Sequence, residues 1–171
     1  MSPLGIAASL RGALGEAHGA VEDLASGVRK LGERHAADHD VLHMSRTLGL
    51  KLDEATHALA VQGDRLGRSL QDVEPDAERT GGPLAAVRHK ASEMLGSRPP
   101  AGALLLADLR RFLAQASDAS VACVILAQGA QAAKDPELLG AVTAAHETVL
   151  RTHRWALTRL KTTAPQVLTG P

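Results

Sequence analysis

Apolar residues spaced alternately three and four apart divide this chain into four long helical segments. The first reads Leu10, Leu14, Ala17, Val21, Leu24, Val28, Leu31, with His35 at the next slot, and Ser2-Pro3 supplies a cap and a first-turn proline. Its outward positions are charged, among them Glu16, Glu22, Asp23, Arg29, Lys30 and Glu33. Asp38 is placed to cap a second helix over 38–66, with a seam of Val41, Leu48, Leu52, Ala55, Leu59 and Leu66 that Met44, Leu50 and Val61 widen. The third, 101–134, carries Leu105, Leu109, Phe112, Ala116, Ala119, Cys123, Leu126 and Ala130. Val121, Val124 and Ile125 add apolar side chains on its flanks, which predicts the most enclosed helix of the four. Asp135 and Pro136 then open a fourth helix that Pro165 ends, over 136–163. The seam predicted for it is Leu139, Val142, His146, Val149, His153, Ala156 and Leu160. Two histidines one heptad apart thus stand where a bundle buries its core.

Between residues 67 and 100 the pattern lapses. Gly81-Gly82-Pro83 and Arg98-Pro99-Pro100 punctuate the stretch, and only Pro83 to Leu95 reads as a short helix. The first and third connections are short, which makes antiparallel neighbours; the second is long enough to let the middle helices run parallel. That order of connections is the one-crossover four-helix bundle of the ferritin-like fold, here with a short extra helix in the crossover.

Composition narrows the class further. One Trp, one Phe and no Tyr leave little for a β-sandwich or for the aromatic platforms that stack single-stranded nucleic acid. Nineteen basic and nineteen acidic residues cancel, so no global field draws the chain to nucleic acid or anionic lipid. The stripe Arg151, Arg154, Thr158, Lys161, with Arg110 and Arg111, reads as a solvated face. A single cysteine, Cys123, forms no internal disulfide and suits a reducing compartment. The first residues lack the basic start and apolar core of a signal peptide, and the apolar runs are shorter than a membrane span. These features predict one soluble, cytoplasmic, all-α domain over 1–171.

The stretch from Leu104 to Leu168 resembles a group of uncharacterised bacterial ferritin-like four-helix-bundle proteins. The matching residues are Gln128-Gly129-Ala130-Gln131-Ala132, Asp135, Glu137-Leu138-Leu139, Trp155, Thr158, Lys161 and Ala164-Pro165-Gln166. A fainter echo lies at Glu33 to Gly49. The resemblance implies the fold and brings no settled activity with it.

A ferritin-like di-metal site takes a carboxylate from each of two helices and Glu-x-x-His from the other two. The nearest motif is Asp40-Val41-Leu42-His43; Glu16 or Glu22, and Asp108 or Asp118, are the available carboxylates. The fourth helix departs from the pattern, since Leu150 follows three after Glu147. Two readings of the histidines follow. Either His146, His153, His43 and Asp40 form a divergent centre for iron, manganese or haem, or the imidazoles are core groups hydrogen-bonded to Asp40, Asp108, Ser117 or Ser120. In the second reading, acid below about pH 6 loosens the bundle. The spacing of His35, His39 and His43, with His18 and Glu22, also touches a haemerythrin-like pattern, which a cap at Asp38 would interrupt. No phosphate loop, Cys-x-x-Cys pair or nucleophile elbow is present. The expected function is a non-catalytic interaction or structural bundle, with a homodimer or another protein as partner and no bound cofactor; metal or haem binding is the alternative.

Overall fold

Asp38 and Asp135 set two of the helix starts. The Asp38 carboxylate accepts the Val41 N–H at 3.1 Å, and that of Asp135 accepts the Leu138 N–H at 3.0 Å, each satisfying a donor with no partner inside its own helix. The structure, a computed structural model, describes residues 3–70 and 101–169. These form four helices: α1 Pro3–Arg34, α2 His39–Arg65, α3 Ala101–Ala132 and α4 Pro136–Thr169. The short helix expected at Pro83 to Leu95 lies outside the described residues.

α1 packs on α2 and α3, and α4 packs on the same two, so α1 faces α4 across one diagonal and α2 faces α3 across the other. Every neighbouring pair is antiparallel. Arg34 at the end of α1 meets Asp108 near the start of α3, and Leu10 meets Gly129 at the other end. Arg65 closes α2 against Asp135, while Asp38 pairs with Arg159 late in α4. Gly102 lies against Val167, which fixes α3 against α4. The diagonal helices α2 and α3 therefore run parallel. The chain leaves α2 at one end and re-enters α3 at the other, a distance of about 45 Å for helices of this length. A tight turn cannot span that, which is why residues 67–100 break the hydrophobic pattern for so long.

The α1 and α3 seams are buried at every position predicted from Leu10 to Leu31 and from Leu105 to Ala130. Leu14, Leu24, Leu52, Leu59, Leu109, Leu126 and Leu138 are fully enclosed, each burial contributing about 2 kcal/mol. Alanines fill much of the rest, so the helices approach closely.

Three expectations change. On α4 the buried line is Leu138, Val142, Ala145, Val149, Thr152, Ala156 and Thr163, so the seam is turned by about one residue. Ala145 and Thr152 are small enough to lie against the facing helices, and Thr152 bonds its hydroxyl to the Thr148 carbonyl at 2.9 Å. His146 and His153 consequently fall at the edge of the core, half-buried. Leu50, Val61, Val121, Val124 and Ile125 are exposed, so the α3 flanks face outward. Finally, α4 continues through Pro165 to Thr169. Past the proline, which forfeits one helical hydrogen bond, Val167 rests on Gly102.

Candidate functional site

Among the described residues three polar contacts between helices stand at the middle and the two ends of the bundle. The first joins α3 to α4 midway, where Ser120 Oγ and His146 Nε2 are 2.8 Å apart. A serine held on an imidazole is the opening arrangement of nucleophilic catalysis, but it also needs an orienting group and an oxyanion hole. Glu147, the carboxylate next to His146 in sequence, is exposed, and the surrounding backbone N–H groups are committed to two helices. The pair is a tie between helices.

The four candidate metal ligands are not brought together. His146 turns toward α3, and His153, one heptad on, shares that side of α4; His43 and Asp40 are exposed on α2, the helix diagonal to α3. Among the described residues no three His, Cys, Asp or Glu side chains gather closely enough to hold a metal ion. Glu16, Glu22 and Asp118 are exposed, and Asp108 is engaged elsewhere. As placed, His146, His153, His43 and Asp40 do not form one shared donor set. The triplet His35, His39, His43 is also divided: His35 lies in the turn after α1, and His39 begins α2.

The second cluster is at the α1–α2 turn and was not singled out as a site from sequence. Asp108 is 8% exposed and accepts two bonds from Arg34 Nη1 at 3.0 and 3.1 Å. His35 Nε2 lies 2.9 Å from its Oδ2, and Arg111 Nη1 reaches its Oδ1 at 3.4 Å. Asp38 and Arg159 pair at the same end. Arg159 Nε is buried without a hydrogen-bond partner, as is Ser45 Oγ where α1 and α2 meet. A buried carboxylate holding two cations and an imidazole fixes the register of α1 on α3. The available signal was an acid beside the α3 seam, with Arg34-His35 ending an antiparallel neighbour.

The third lies at the opposite end, where Arg65 donates to Asp135 at 2.5 Å and approaches Glu137 at 3.5 Å. Desolvation pushes the Asp135 carboxyl up, but bonds from Arg65 and from the Leu138 and Glu137 backbone outweigh it and hold the carboxyl below its usual value. Two further groups are shifted by burial. His18, buried on α1, is lowered by desolvation, which Glu22 opposes. The Cys123 thiol is pushed up to about 11 by desolvation, leaving it protonated and inert as a nucleophile.

What remains unpartnered is the outer face of α3. Val121, Val124 and Ile125 are 58%, 44% and 54% exposed, and Leu104 is 38% exposed near the helix start. From Phe112 to Ala133 the only charged residue is Asp118. Beside this face an open groove of about 480 Å³ runs between α1 and α3, with Ala20, Ala122, Val121 and Ile125 along it and Glu16, Asp23 and Asp118 as its acids. By length and mean hydropathy α3 also passes as a membrane span, a test that bundle core helices meet as well. No known protein family, curated protein or solved structure matches the chain.

Proposed function

We propose that this chain is a ferritin-like bundle that works by binding another protein through the outer face of α3, and not by catalysis. Antiparallel neighbours around a long α2–α3 crossover support the ferritin-like assignment. The exposure of Val121, Val124 and Ile125 carries the functional reading. Contiguous apolar side chains on a surface whose other helices are charged mark an interaction site. The interior polar groups serve as ties between helices: His146 holds Ser120, and Asp108 holds Arg34 and His35.

A photo-reactive residue at Val121, compared with one at Glu22 on the charged face of α1, tests this in the cells that make the protein. Discrete adducts at position 121 and none at 22 are expected; no adduct at 121 would sink the reading. The metal alternative has its own check. Stoichiometric iron, manganese or haem in untagged protein, lost in His146→Ala, would replace the interaction role with a cofactor role.

A further inference from the structure

The α3 face repeats itself in reverse about Ala114. Ala103, Ala107, Arg110, Ala114, Asp118, Val121 and Ile125 are spaced 4, 3, 4, 4, 3 and 4 residues apart. At 100° per residue they fall within a strip of about 80° on the outer side of α3. All are exposed except Ala103, which is half-buried. Each mirrored pair is complementary. Four residues either side of Ala114 stand Arg110 and Asp118, opposite in charge. Seven either side stand Ala107 and Val121, and eleven either side stand Ala103 and Ile125, small against large in both cases.

From this we infer that the partner is a second copy of the chain, its α3 lying antiparallel on the first with the two-fold axis through Ala114. The inference rests on the proposed interaction role and names the partner of that face. A two-fold brings residue 114+k of one copy to residue 114−k of the other. Val121 and Ile125 then sit over the partner's small residues, and Arg110 meets the partner's Asp118, each contact occurring twice as isologous symmetry demands. The flanks agree in sign. Arg111, its side chain 71% exposed, strengthens the basic half, and Glu16 and Asp23 of α1 border the groove beside the acidic half. Alanine at the two-fold permits close approach of the two helices.

The size is adequate as well. The 22 helical steps from Ala103 to Ile125 give a strip about 33 Å long; α3 with the α1 side of the groove, two helix widths of about 10 Å, then covers roughly 700 Å² per copy, close to the roughly 800 Å² of a standard specific interface. The charges set register and orientation, while the apolar contacts hold the pair together.

The test is sedimentation equilibrium of the purified full chain, with four variants at exposed positions. Wild type is expected to be a dimer at micromolar concentration. Val121→Glu, Arg110→Glu and Asp118→Arg should each weaken association by about tenfold or more, with the circular dichroism of a folded bundle retained. Arg110→Glu mixed with Asp118→Arg should dimerise again, because a mixed pair restores opposite charges at both symmetric contacts. Ala114→Cys should oxidise to a covalent dimer, and the buried native Cys123 does not compete. Four results would overturn the inference: a monomeric wild type, a dimer indifferent to Val121→Glu, mixed variants that stay apart, or a monomer that binds anionic vesicles through Val121. If the wild type is monomeric yet position 121 yields cellular adducts with a different protein, self-pairing fails and the interaction role survives. If no adduct forms at all, the interaction role itself fails.

Discussion

Ser120 on α3 and His146 on α4 are 2.8 Å apart at a half-buried point midway along the bundle, and they hydrogen-bond the two helices to each other. A bond of this kind contributes about 1 kcal/mol net. Ser120→Ala and His146→Ala should therefore each lower stability by about 1 kcal/mol, with the double variant costing less than the sum because both delete one interaction. Urea unfolding of the four proteins in the cycle measures this. Strict additivity would show that the two side chains do not interact.

Asp108 is the more costly residue to lose. It accepts from Arg34 and contacts His35, a side chain 8% exposed. Asp108→Ala leaves that imidazole without its partner, while Arg34, about half exposed, can turn to water. The expected loss is about 1–3 kcal/mol, less than for a fully buried pair because of that escape. Asp108→Asn keeps an acceptor for His35 and should lose about half as much. Equal midpoints for Asp108→Ala and wild type in urea would refute the role given to this cluster.

How far the sequence reached differs between elements for physical reasons. The α1 seam was legible from Leu10 to Leu31 because only one line of positions is apolar. Asp38 and Asp135 marked helix starts because a cap depends on local geometry alone. The α4 seam was misread by one position. Leu138, Ala145 and Thr152 lie one position before Leu139, His146 and His153; the two lines differ mainly in side-chain size, and the space left by α2 and α3 takes the smaller one. The outward Val121, Val124 and Ile125 were taken for core because α3 is apolar on nearly every side, and periodicity cannot orient such a helix. Arg34 and Asp108 are 74 residues apart in sequence, so their meeting required knowing which helices are neighbours.

His18 contributes to acid sensitivity. Desolvation depresses its folded-state pKa below the unfolded value near 6.5, although Glu22 partly opposes this. Between those two values the unfolded chain holds a proton that the folded chain does not, so stability falls as pH drops below about 6.5. The loss stops once pH passes below the depressed folded value. His18→Leu should remove this slope in a series of urea midpoints from pH 7.5 to 5. An unchanged slope in that variant would assign the acid response to other groups. Asp135, also depressed, acts at lower pH: its contribution is present above about pH 4 and disappears as pH falls through its folded value.

Glycines in α1 weaken an isolated helix, and two of them separate propensity from packing. At Gly12 an added Cβ meets no atom within 4 Å. Gly12→Ala should therefore stabilise by about 0.5–1 kcal/mol through backbone entropy alone. At Gly32 the same atom would stand 2.6 Å from Ser45 Cβ of α2. The helices must separate to admit it, so Gly32→Ala should destabilise by about 1–3 kcal/mol despite the better helix former. Ser45 itself buries a hydroxyl without a hydrogen-bond partner, so Ser45→Ala should be neutral or slightly stabilising. It retains the offending Cβ, however, and cannot rescue Gly32→Ala. Ser45→Gly removes that atom and should recover most of the Gly32→Ala loss beyond its own helix penalty of about 1 kcal/mol. Thermal midpoints of the single and double variants decide the matter. If Gly32→Ala proves as stabilising as Gly12→Ala, α1 and α2 are not in contact at this point and their register on one another would need revision.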